Sequence, residues 1–118
     1  MKMLIAIFIG GGLGSLSRYG VSRLVFSGIS PLGTFIANMF SIILLGIILY
    51  WFSQKTLLTD SLRGLLVIGF CGGFSTFSTF SYETFVLLRT GHTWWAIINV
   101  TVSVALGLGV LFAISQKA

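Results

Sequence analysis

The sequence predicts an all-α integral membrane protein with four transmembrane helices per chain. Three observations carry that prediction. The chain is 56% hydrophobic, only 8% of its residues are charged, and its mean hydropathy is +1.06; a soluble domain has about a quarter of its residues charged. At about 20 apolar residues per crossing, its 118 residues allow four spans with short connections and leave no room for a soluble domain. The apolar segments are residues 3–25, 35–52, 64–88 and 94–114, one four-helix domain over residues 1–118.

The first segment begins at Lys2 and its residues 3–9 mimic a secretory signal. With no clear small-x-small cleavage site and three more apolar segments following, it reads as a retained first helix. Within it Gly10, Gly14 and Arg18 recur at intervals of four. The second segment carries Thr34, Asn38 and Ser41 at spacings of four and three, and ends on Tyr50 and Trp51, whose rings suit the headgroup level. The fourth opens on Trp94 and Trp95 and carries Asn99, Ser103 and Gly107 at spacings of four. The connections are residues 26–34 with Gly28 and Pro31, 53–63 with Lys55 and Asp60, and 89–93 with Gly91 and His92. Each helix thus shows one face that does not suit lipid. That face serves either close helix packing through small residues or the wall of a conduit.

Charge excludes several function classes. Asp60 and Glu83 stand alone against seven Lys and Arg, so paired-carboxylate catalysis and carboxylate metal cages are unavailable. The single cysteine, Cys71, provides no disulfide framework, CxxC pair or thiolate zinc site. A net charge of +5 favours anions or anionic lipid headgroups. Orientation is nearly balanced: Lys2, Lys55, Arg63 and Lys117 fall on one side, Arg23 and Arg89 on the other. So weak a positive-inside bias permits insertion both ways, and two inverted copies could pair.

The third segment is the most informative. Residues 69–83 read GFCGGFSTFSTFSYE, in which adjacent Gly72 and Gly73 precede a run of hydroxyls able to bond backbone carbonyls. A local break near the middle of this helix is expected. Inside a bilayer such a break is tolerated only when buried in protein or lining a polar cavity, and its freed carbonyls suit a cation while its freed amides suit an anion. Thr76, Thr79 and Glu83 share one face, with Ser75, Ser78 and Tyr82 on the neighbouring stripe. Phe77 and Phe80, one turn apart, join Phe70 and Phe74 in an aromatic belt. These rings serve lipid contact and packing, or else present electropositive edges to an anion. Arg18 either snorkels to the interface or supplies charge at a pore mouth. Glu83 is a structural anchor or a member of a polar pathway, and the bland reading of His92 is plain exposure.

These blocks resemble the Fluc (CrcB) family of small microbial fluoride channels, nearly end to end. The likeness rests on Gly10-Gly11-Gly12-Leu13-Gly14-Ser15 with Arg18-Tyr19, on Gly33-Thr34-Phe35 with Asn38, and on Gly69 to Phe80. The resemblance implies an antiparallel, dual-topology homodimer in the bacterial inner membrane, with membrane lipid around it and no nucleic-acid partner. It implies two passive fluoride pathways, selective against chloride, that relieve fluoride toxicity. By similarity Phe77 and Phe80 line the anion path, Asn38 is the pore-lining amide, Ser78, Thr79 and Glu83 belong to the polar track, and Ser103 is a pore neighbour. Arg18 corresponds to a vestibule arginine, and the backbone carbonyls of Gly72 and Ser75 to the ligands of a structural sodium ion on the dimer axis. The chain departs from the commonest family pattern in having Ser75-Thr76 where two threonines are usual, and Asn99 stands where relatives can carry an aromatic polar residue.

Two rival readings remain. A small multidrug exporter shares the four-helix size, but it needs a membrane carboxylate early in the chain, and the first span holds Arg18 and no acid. A non-transporting scaffold subunit would use the glycine faces for packing, yet has no need of open backbone at midplane. An enzyme is not expected, because the sequence shows no nucleophile–base pair, metal cluster or phosphate loop.

Overall fold

The chain was analysed as a computed structural model that describes residues 1–25, 31–53 and 59–117; Gly28 and Lys55 lie outside these. Four helical spans are long and apolar enough to cross a membrane: Lys2–Val25, Leu32–Ser53, Asp60–Arg89 and Thr93–Ser115. The first, second and fourth are the single helices α1 (Lys2–Val25), α2 (Leu32–Ser53) and α6 (Thr93–Ser115). The third is composite: α3 (Asp60–Arg63), a π-helical stretch (Gly64–Cys71), α4 (Gly72–Phe74) and α5 (Phe77–Arg89).

Two boundaries lie earlier than the hydropathy pattern places them, and local chemistry explains both. Pro31 has no N–H to lose and its carbonyl accepts the Phe35 N–H at 2.8 Å, so α2 starts directly after it and Thr34 is helical and buried rather than part of a connection. Thr59 caps α3, its Oγ1 accepting the Leu62 N–H at 3.3 Å, and Asp60 occupies the first turn, where a negative charge suits the helix dipole. Residues 60–63 are therefore helical too. At the other end of the third span Gly91 has φ +80°. The His92 N–H reaches the Leu87 carbonyl at 2.8 Å and the Gly91 N–H reaches Leu88 at 3.2 Å. This is a glycine C-terminal cap that turns the chain straight into α6.

The glycines do not break the third span. Gly72 and Gly73 are both helical, and the extended residues are the next two, Ser75 (φ −79°, ψ 157°) and Thr76 (φ −150°, ψ 121°). What the glycines do is pack. A Cβ on Gly10 would collide with the Leu65 carbonyl oxygen, one on Gly14 with that of Phe70, and one on Gly73 would lie 2.5 Å from the Gly11 carbonyl oxygen. The backbone of α1 thus runs directly against the π-helical stretch and α4. Between helices in lipid, where no hydrophobic effect drives association, such close backbone approach supplies the van der Waals contact that holds the pair. Gly107 of α6 makes room instead for a side-chain tip, Ile42 Cδ1 of α2. Apolar side chains such as Phe8, Leu16, Phe40 and Phe112 point outward, as a lipid-facing surface requires.

Candidate functional site

The polar stripe of α2 grips the third span at three heights. Thr34 Oγ1 donates to Glu83 Oε1 at 2.8 Å on α5. One turn further along α2, Asn38 Oδ1 accepts the Thr76 N–H at 2.8 Å while its Nδ2 donates to the carbonyl of the same residue at 3.4 Å. Ser41 Oγ, fully in the interior, donates to the Cys71 carbonyl at 2.8 Å. The partners run backwards in sequence, from Glu83 to Thr76 to Cys71, because the two spans are antiparallel. Buried polar groups in lipid cost several kcal/mol unless paired, so this row of bonds fixes the register of α2 on the third span.

The bonds around Ser75 and Thr76 re-pair some of the backbone groups that the extended residues release. In a continuous helix the Thr76 N–H would go to Gly72 and the Thr79 N–H to Ser75. Here the first goes to Asn38, and the second to Thr76 Oγ1 at 3.2 Å, which makes Thr76 the N-cap of α5. The Thr76 hydroxyl donates to Thr79 Oγ1 and is 3.2 Å from Ser78 Oγ. The Gly73 carbonyl, whose helical donor would be Phe77, accepts instead from Arg18 Nε at 3.3 Å. Ser75 Oγ folds back on the Cys71 carbonyl at 3.0 Å. The carbonyls of Gly72 and Ser75 are thereby deprived of their helical donors, and Gly72 faces open space on the outside of the chain.

Beside these residues α2, α5 and α6 enclose a groove of about 430 Å³. Five of the sequence-predicted site residues line it: Asn38, Ser75, Phe77, Phe80 and Ser103, together with Thr76 and apolar side chains such as Met39 and Leu108. The Phe77 and Phe80 rings are 6.1 Å apart at 36°, with Phe77 80% exposed. Ser103 Oγ is buried with no hydrogen-bond partner, in the wall of a largely apolar groove. Ser78, Thr79, Glu83 and Arg18 are not in the groove wall. Ser78 and Thr79 form the hydroxyl cluster around Thr76, Glu83 sits above with its Oε2 buried and unpaired, and Arg18 lies on the α1 side of Gly73. His92 is exposed, its Nδ1 2.9 Å from Thr90 Oγ1.

One residue was not singled out from the sequence. Thr84 Oγ1 donates to the Phe80 carbonyl at 2.8 Å and accepts from Asn99 Nδ2 at 3.0 Å, tying α6 to α5. Its only sequence signal is a threonine four residues after Phe80, a spacing at which the hydroxyl can return to the helix backbone. Among the described residues no group of three or more His, Cys, Asp or Glu side chains could hold a metal.

Fold and site together define a multi-pass helical membrane protein with a largely apolar groove against its third span, into whose wall Asn38, Ser75, Thr76 and Ser103 are set. The chain belongs to the CrcB family: the family model described as CrcB-like protein, Camphor Resistance (CrcB), matches residues 5–114. It is 42% identical over 106 residues to the fluoride-specific ion channel FluC of Escherichia coli (strain K12), a match covering 87% of this chain and 83% of that protein. The FluC of Escherichia fergusonii is likewise 42% identical over the same shares, and that of Enterobacter sp. (strain 638) is 41% identical.

Proposed function

We propose that this chain is a fluoride-selective ion channel through which cytoplasmic fluoride leaves passively down its electrochemical gradient, relieving fluoride toxicity. The observation that carries this reading is the groove, because its lining gathers from three helices the rings of Phe77 and Phe80, the amide side chain of Asn38 and Ser103, whose buried hydroxyl has no partner. A small, strongly hydrated anion needs several weak donors in a narrow space, none of which holds it too long. Ring edges, an amide and hydroxyls meet that need, where a lysine would not. The curated relatives named as fluoride-specific channels support the same anion.

In this mechanism fluoride passes Arg18, whose positive charge concentrates anions, and exchanges water for the Ser78 and Thr79 hydroxyls, Asn38 and the ring edges. Glu83, held by Thr34, closes the polar track above. The working unit is an antiparallel pair of copies in the bacterial inner membrane, with one path along each; the break at Ser75 and Thr76 lies at its centre. The carbonyls of Gly72 and Ser75 fit a structural sodium ion, since Asn38 and Thr76 have taken their helical donors and Gly72 opens outward. Hard cations take oxygen ligands of this kind. When bound, the ion would supply positive charge beside the anion path and join the two copies.

The test is efflux from liposomes loaded with potassium fluoride, read with a fluoride electrode after valinomycin addition, beside matched chloride liposomes. Rapid fluoride efflux with negligible chloride efflux is expected. No fluoride flux from folded, dimeric protein would overturn the reading.

A further inference from the structure

The face of α6 turned toward α5 carries two polar side chains one turn apart, Asn99 and Ser103. Asn99 is 8% exposed, and an amide so placed within a span needs a partner. Its partner is Thr84, and the bond has a definite direction. A hydroxyl has one proton and two lone pairs; Thr84 gives its proton to the Phe80 carbonyl at 2.8 Å and accepts from Asn99 Nδ2 at 3.0 Å. The chain of bonds therefore ends on the backbone of the residue whose ring forms one wall of the groove. The groove wall also includes Ser103, carried on the same helix as Asn99.

We propose that Asn99, acting through Thr84, is a positioning residue for the anion path. It locks the rotation and separation of α6 against α5, and with them the positions of Phe80 and Ser103 in the groove wall. Neither Asn99 nor Thr84 lines the groove, so the effect is transmitted, not direct. This inference rests on the fluoride-channel reading and assigns a specificity-setting role within it.

The experiment compares fluoride and chloride efflux, and thermal midpoints, for Thr84→Val, Asn99→Leu, the double variant and Thr84→Ser. Valine keeps the shape of threonine without its hydroxyl, whereas serine keeps the hydroxyl. Loss of one buried hydrogen bond has a net effect of about fivefold on an equilibrium, so each apolar variant is expected to lower the fluoride-to-chloride flux ratio by about that factor. The double variant is expected to be no worse than either single, because both break one linkage, and Thr84→Ser to stay close to wild type. Lowered thermal midpoints with an unchanged flux ratio would overturn the proposal and leave a structural staple. So would independent effects that multiply in the double variant. If Asn99→Leu fails to fold, the Thr84 valine and serine pair decides by itself. Wild-type protein without fluoride flux would bring down the channel reading and this one together, whereas wild-type flux with indifferent variants would bring down this one alone.

Discussion

Asn38 brackets a single residue of the neighbouring span: its Oδ1 accepts the Thr76 N–H at 2.8 Å and its Nδ2 donates to the Thr76 carbonyl at 3.4 Å. One side chain thus stands in for a turn of helix, and does so from another helix. Replacing it with leucine leaves the part-buried Thr76 N–H unsatisfied, at about 1–3 kcal/mol, while the carbonyl of this N-cap residue keeps its place as first acceptor of α5. Asn38→Leu is expected to lower the thermal midpoint in detergent and to abolish fluoride flux. Asn38→Asp, which retains an acceptor for the Thr76 N–H, is expected to melt between the two. A leucine variant as stable as wild type would show that the bracket contributes nothing.

The glycines of α1 divide into packed and free positions. A Cβ on Gly14 would overlap the Phe70 carbonyl oxygen, whereas one on Gly12 would meet nothing within 4 Å. Gly14→Ala is expected to abolish the folded species on gel filtration, since backbone cannot move aside as a side-chain tip can. Gly12→Ala is expected to elute and melt as wild type does.

The two groove phenylalanines should separate conduction from assembly. Phe77 is 80% exposed and Phe80 only half-buried, so neither ring is part of a tight core. Replacing both with isoleucine removes the electropositive edges while keeping the apolar bulk. Fluoride efflux is expected to fall to background with the oligomeric state on gel filtration unchanged. Undiminished efflux would remove the rings from the mechanism.

Glu83 is anchored by one donor, Thr34 Oγ1 at 2.8 Å. Thr34→Val preserves shape and deletes that donor, leaving a carboxyl group in the span with neither oxygen partnered by this chain. A loss of about 1–3 kcal/mol is expected, read as a lower thermal midpoint. Glu83→Gln keeps an oxygen that can accept from Thr34 and is expected to be the milder change. The reverse order would show that Thr34 does not hold the group.

Much of the site was legible as pattern before it was visible as contact. The stripe of Thr34, Asn38 and Ser41 marks a non-lipid face by spacing alone, because helical periodicity places such residues on one side. Its partners at Glu83, Thr76 and Cys71 were not legible, since pairing depends on the register of two antiparallel helices. The glycine pair in the third span illustrates the limit of local propensity. Gly72 and Gly73 are poor helix formers, yet both are helical, Gly73 packed against the Gly11 backbone of α1 and Gly72 facing open space, and the chain extends at Ser75 and Thr76, where Asn38 takes the backbone N–H.

The sequence by itself determined the solvent in which this protein lives, the number of its spans and the face each span turns inward. Those properties follow from composition and period, which need no knowledge of neighbours. It also carried the motifs that place the chain among its relatives. Only the tertiary structure decided which carbonyls lose their helical donors, that Asn38 and Arg18 answer to backbone groups of the third span, and that Asn99 reaches Phe80 through Thr84. Each of these joins residues far apart in the chain, and a hydrogen bond exists only where packing brings donor and acceptor within about 3 Å at a workable angle.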